Sequence, residues 1–232
     1  MQTVYWSKHN MFNNTSNQTL EYSPFSVLEM HNKNKPLTQD VNWIGCPATN
    51  NFLKNTFCFK NPIELNMKFN QDKTVFWPQN NLEDYISVRD FSKDEVVLDY
   101  LLPVTLFSEN DISVTLTTPY LSKTNKEMCH LIPGEFNISK WFRPIVPSYM
   151  IYDNDMTFKI DKGEELFYIK FNTDKKIKFV EFYFNDTLRE IVTDSIGLKR
   201  YKKNTGLSSL YNIFQSQKID KIVLKEIEKS VI

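Results

Sequence analysis

Alanine is almost absent: in 232 residues, Ala48 is the single example. Alanine is the best intrinsic helix former, so this scarcity argues against a helical bundle. Glycine is scarce too, with five residues. The chain has no phosphate-cradling glycine loop, dinucleotide fingerprint or Gly-x-Ser-x-Gly elbow. Histidine is limited to His9, His31 and His130, and none has a carboxylate or a second histidine two residues on. A jelly-roll metal site would need such a pair. No metal and no cofactor are therefore expected. Three cysteines and no CxxC fit reduced thiols rather than a disulfide framework. Cys46 and Cys58 read as small buried hydrophobes, because neither shows the basic neighbour or helix N-terminus that activates a thiol.

Two further absences bound the partners. Lysine plus arginine equals aspartate plus glutamate at 28 each, so no basic nucleic-acid face is indicated. No apolar run approaches the ~20 residues that a membrane helix needs, and Met1 to Asn10 lacks the apolar centre of a signal peptide. The expectation is a chain with no membrane contact that is not exported.

What the chain does have is Phe, Tyr, Ile and Val in short runs closed by turn residues. Residues 156–160, 166–171 and 177–184 are three such runs, each followed by an Asp-Lys-Gly, Asn-Thr-Asp or Asn-Asp turn signal. They predict a three-stranded antiparallel meander. Leu166-Phe167-Tyr168-Ile169 presents apolar groups to both faces, which predicts a strand covered on both sides. Phe57 and Phe59, then Ile63, Leu65, Met67 and Phe69, alternate with polar residues around Asn61-Pro62. That pattern predicts a hairpin over 57–69. Short strands are expected at Tyr5-Trp6, 74–77, 96–102, 104–106, 112–117 and 135–139. Residues 10–19 read as an exposed loop, and Ser23-Pro24 as a helix N-cap and first turn. The acidic pairs Glu83-Asp84, Asp94-Glu95 and Glu164-Glu165 read as solvated turns.

After Asp186 the periodicity becomes helical, at 188–196, 207–214 and 219–232. Ile222, Val223 and Ile227 should be the buried face of the last helix. The basic run Lys199 to Lys203 falls between helices and reads as a solvated loop. The fold expected is mainly β: an antiparallel β-sandwich over 1–186, with the jelly roll as its candidate form. Residues 1–50 are irregular, and 187–232 form a small helical tail packed on the sheet.

Several short motifs are similar to a group of uncharacterised proteins encoded by tailed phages of marine bacteria. They are Tyr5-Trp6-Ser7, Cys46-Pro47-Ala48, Lys54-Asn55-Thr56-Phe57 with Asn61-Pro62, Trp141-Phe142-Arg143-Pro144, and Gly163-Glu164 leading into Phe167-Tyr168-Ile169-Lys170-Phe171. The resemblance implies a viral origin, with residence in the host cytoplasm or the virion, and brings no activity with it.

Three functions fit these features. With no catalytic constellation in view, the leading one is a viral structural or accessory protein that contacts other viral proteins or itself. A cupin-like metal-dependent enzyme and a carbohydrate- or peptide-binding sandwich are the alternatives, separable by metal content and ligand binding. Trp6, Trp43, Trp77 and Trp141 could serve either a core or a binding face. Trp141 and Arg143 are the candidate binding residues. A bulky aromatic near an arginine, in an extended segment bounded by Pro144 and Pro147, suits an interface anchor. Their structural alternative is Trp141 capping the sheet and Arg143 pairing with a carboxylate.

Overall fold

A computed structural model of the chain describes residues 1–7, 23–33, 46–69, 75–76, 85–90, 95–101, 104–122, 129–151, 157–201 and 206–232. The loop expected at 10–19, His9, Trp43, Trp77, Glu83-Asp84, Asp94 and Lys202-Lys203 lie outside them.

The chain is mainly β. It opens with β1 (Gln2–Ser7) and β2 (Phe25–Ser26), followed by the short helices α1 (Val27–Lys33) and α2 (Pro47–Leu53). Strands β3 (Thr56–Lys60), β4 (Leu65–Phe69), β5 (Val75–Phe76), β6 (Ile86–Asp90), β7 (Val96–Tyr100) and β8 (Val104–Phe107) follow. Then come β9 (Ser113–Thr117), β10 (Cys129–Leu131), β11 (Gly134–Asn137), β12 (Pro144–Ile145) and β13 (Ser148–Ile151). Strands β14 (Thr157–Ile160), β15 (Glu165–Phe171) and β16 (Ile177–Glu181) complete the β part. Helices α3 (Asp186–Tyr201), α4 (Leu207–Ser216) and α5 (Ile219–Glu228) form the tail.

Among the described residues these strands make four sheets, ordered β12-β8-β1-β16, β10-β13-β7-β6, β11-β9-β15-β3-β2 and β14-β4-β5. Pairing is antiparallel except between β1 and β16, which run parallel. All four sheets contribute to one apolar core, through residues such as Val4, Phe59, Met67, Leu98 and Ile169. The layering is sandwich-like, and alternation does the sorting. In β9, Val114 and Leu116 are buried while Ser113, Thr115 and Thr117 face outward.

Two expected pairings do not form. The strands at 157–160, 165–171 and 177–181 are not a meander: β14 pairs β4, β15 sits between β3 and β9, and β16 pairs β1. Leu166, Phe167, Tyr168 and Ile169 are all at most 1% exposed, so β15 needs cover on both faces and a partner on both edges. Its sequence neighbours cannot supply that, whereas β3 and β9 flank it fully. The β15–β3 register shifts between Glu165 and Phe167, which lets Leu166 and Phe167 both enter the core.

The hairpin at 57–69 is likewise absent. Asn61 marks a corner where the chain leaves one sheet for another. Its side chain is buried and donates to the Ile160 and Asp161 carbonyls, at 3.0 and 3.3 Å. Its Oδ1 accepts from the Tyr100 hydroxyl at 2.6 Å. Its backbone is also paired, N–H to the Glu164 carbonyl and C=O from the Gly163 N–H, each at 2.7 Å. Gly163, at φ +88°, makes the turn that presents these groups. At the other end of β3, Asn55 adopts φ +57° and donates to the Thr173 and Lys175 carbonyls, at 2.6 and 2.9 Å. The two asparagines fasten both ends of β3 to both ends of β15. Of the face expected around this corner, Leu65 and Met67 are buried, Ile63 is half-buried, and the Phe69 side chain lies outside the described residues.

The first helix starts later than expected. Ser26, not Ser23, caps α1, accepting from the Glu29 N–H at 3.3 Å.

Helices α3 to α5 pack on β8 and the strand end beyond β16 through a second cluster that includes Phe107, Phe142, Phe182, Leu188, Val223 and Ile227. Asn185 caps α3 by accepting from the Leu188 N–H at 2.9 Å, and its amide reaches Glu226 of α5 at 3.0 Å. The chain then returns to the sheet, where Phe182 bridges Val231 and the Ile232 N–H donates to the Glu181 carbonyl at 3.1 Å. Val223 and Ile227 are buried as expected. Ile222 is 46% exposed, because its position on α5 faces away from the sheet. Lys199 and Arg200 belong to the last turn of α3 rather than to an interhelical loop.

Candidate functional site

Trp141 is set in place by the turn before it. Asn137 Oδ1 accepts from the Ser139 N–H and hydroxyl at 2.9 and 2.7 Å, which closes the turn over 137–139. The Asn137 N–H donates to the Tyr211 hydroxyl of α4 at 2.7 Å, and Asn137 Nδ2 donates to Asp111. Lys140 pairs with Asp111 at 2.8 Å; with Asn137 it stabilises the Asp111 carboxylate, holding its pKa below the ordinary value. From this locked turn the segment runs extended through Trp141 to Pro147, with no helix, as its prolines demand.

Trp141 and Phe142 then point to different places. Phe142 is fully buried among Phe107, Phe182 and Phe184, at ring distances of 5.8 to 6.2 Å. Trp141 turns toward the helices, 6.2 Å and edge-on to Tyr211. The Arg143 guanidinium lies 5.4 Å from the Trp141 ring centroid, a cation–π arrangement. No carboxylate among the described residues pairs with Arg143, so the expected ion pair is replaced by the indole face. Burial lowers the Arg143 pKa, and the group stays charged.

Trp141 is 8% exposed, so it is no protruding anchor. It forms part of the floor of a groove of about 420 Å³ between α3, α4 and α5. One wall is the α3 face carrying Thr187, Glu190, Ile191, Asp194 and Leu198, at three- and four-residue spacing. The other wall is mostly apolar, from Leu210, Ile213 and Phe214 of α4 and Ile219 and Ile222 of α5, with Gln217 between the two helices. Arg143 stays behind the indole and does not line the groove. A second hollow, of about 220 Å³, is bordered by Glu109, Asp111, Lys140, Asp220 and Lys221. Its charges are mixed, and Asp111 and Lys140 already neutralise each other.

A polar cluster sits under α1. Glu165 does not occupy a solvated turn as expected. It lies in β15 with its side chain 14% exposed, accepting from the Tyr168 hydroxyl and standing 4.0 Å from His31 Nε2. Burial, then this carboxylate, pushes the Tyr168 pKa up. Cys58 lies on the same face, and burial raises its thiol pKa. These groups join α1 to the sheet. Glu164 does sit in its turn and accepts from the Asp161 N–H at 2.8 Å.

Cys46 departs from expectation. It is exposed, not buried, and precedes α2, whose first residue is Pro47. The Thr49 and Ala48 backbone amides and the Thr49 hydroxyl lower its thiol pKa. Cys58 is buried and free, as expected, and the Cys129 side chain lies outside the described residues. His31 is on α1 and His130 on β10. Among the described residues no three His, Cys, Asp or Glu side chains converge as a metal site, and no helix is long and apolar enough to cross a membrane.

No protein-family model, curated protein or solved structure matches this chain. Sequence reasoning pointed to Trp141 and missed the groove above it. The groove requires three helices to converge, and the available signal was the apolar spacing of Leu210, Ile213 and Ile222 opposite Ile191 and Leu198.

Proposed function

We propose that this chain works by binding another protein through the groove above Trp141, as a structural or accessory component of a virus particle or its assembly. The observation that carries the binding reading is the groove itself. It leaves apolar side chains in contact with water, notably Ile222, beside the polar face of α3. Contiguous exposed apolar surface next to polar residues favours a partner, because covering it removes that surface from water. Trp141 supports the reading in a new role. It holds the floor rigid, clamped between Arg143 and Tyr211, so the groove is formed before any partner arrives. The viral setting rests on the resemblance of the short motifs.

The test is recovery of the tagged chain from the cells that make it and from purified particles. Ile222→Glu is the informative variant, since it puts a charge into the groove at a position that the fold leaves exposed. One stoichiometric partner should accompany the wild-type chain and be lost with Ile222→Glu. A variant that keeps the same partner at the same level would sink the groove reading. Absence of the chain from particles and assembly intermediates would sink the viral one.

A further inference from the structure

The groove is electrically one-sided. Among the described residues its lining includes two carboxylates, Glu190 and Asp194, and neither lysine nor arginine. Both acids are exposed on α3, one turn apart on the face that borders the groove. Among the described residues neither has an ion-pair partner. The nearby Arg189 pairs instead with Asp186, at 3.3 Å. Like charges at i and i+4 on a helix repel. A cation laid between them would relieve that repulsion. Opposite stand Leu210, Ile213 and Ile222, an apolar wall running alongside the acidic one. Resting on the reading that the groove binds protein, we propose that its occupant is an amphipathic helix with a basic flank. Leucine- or isoleucine-type side chains of that helix lie against Trp141 and the α4–α5 wall. Its lysines or arginines lie over Glu190 and Asp194. Helix-in-groove binding reads apolar anchors at helical spacing, and the charged flank fixes orientation and suppresses wrong partners.

The full-length chain would be titrated with three synthetic peptides: an amphipathic helix with a Leu/Ile face and a lysine flank, the same helix with glutamate on that flank, and a scrambled control. Fluorescence anisotropy is the readout, at low and at raised salt. The lysine peptide should bind, and the glutamate peptide should bind at least about tenfold more weakly. Glu190→Gln with Asp194→Asn should weaken the lysine peptide about three- to tenfold and flatten its salt dependence, as two exposed charge pairs allow. Ile222→Glu should abolish binding of the apolar face. Equal affinity for both charged peptides, or indifference to the Gln/Asn pair, would overturn the basic occupant and leave the protein-binding reading standing. Binding by no peptide, with partner recovery also insensitive to Ile222→Glu, would overturn both. Concentration-dependent dimerisation removed by Ile222→Glu would replace the basic helix with a second copy of the chain.

Discussion

At the residue scale the fold depends on a few polar side chains that no hydrophobic pattern announces. Asn61 is the clearest. It uses its amide, its carbonyl and both backbone groups to join β3, β7 and the β14–β15 turn inside the core. Removing a buried partner leaves the remaining donors and acceptors desolvated without compensation. Asn61→Ala should cost about 2–4 kcal/mol in urea unfolding. A loss below about 1 kcal/mol would show that water replaces the side chain. The cysteines provide a second contrast. Cys46 is exposed with a lowered pKa, so more thiolate is present at neutral pH than in an ordinary thiol. Cys58 is buried and its pKa is raised. Native iodoacetamide labelling should therefore modify Cys46 first, with a pH profile displaced below that of a free thiol. Cys58 should react only after unfolding. Equal labelling of both would contradict the burial.

At the element scale the sequence announced which segments are strands better than it announced which strands pair. The reason lies in what sets each property. Alternation in β9 or the apolar run of β15 is local and can be read residue by residue. Pairing is decided by non-local demands: β15 needs two edges and two covered faces, and Asn55 and Asn61 hold it against β3. An Asn-Pro between two alternating runs looks like a hairpin turn until Tyr100 and the Gly163 turn are brought beside it. The tail shows the same division. Its helical period was plain, and Val223 and Ile227 are buried. Yet Ile222 falls on the groove side, because one apolar stripe serves both the sheet and the groove. Ile227→Ala should therefore destabilise by about 2–4 kcal/mol, the range for deleting a buried aliphatic side chain. Ile222→Ala should stay within about 0.5 kcal/mol, as for an exposed position. Similar melting shifts for the two would mean that α5 packs in another rotation. Removing residues 219–232 should lower the melting temperature more than either, since α5 covers Phe182 and Phe214 and is too short to be stable alone.

At the scale of the whole molecule, a mainly β body carries three helices that close over its second apolar cluster and leave a groove on their outer side. Trp141 connects the two: its turn is tied to Asp111 and Tyr211, and its ring floors the groove. The candidate residues Trp141 and Arg143 were visible in sequence as an aromatic–cation pair bounded by prolines. The role of Trp141 as a groove floor was not visible, since it depends on helices that begin only at Asp186. The central claim is that a protein partner occupies this groove. A photocrosslinking amino acid in place of Ile222, in the full-length chain within the cells that make it, tests that most directly. The account predicts one dominant crosslinked product, whose partner peptide is an amphipathic segment with basic residues along one flank. The same crosslinker at an exposed position away from the groove, such as Tyr120, should give no such product. Absence of a crosslink from position 222, or the same product from both positions, would contradict it.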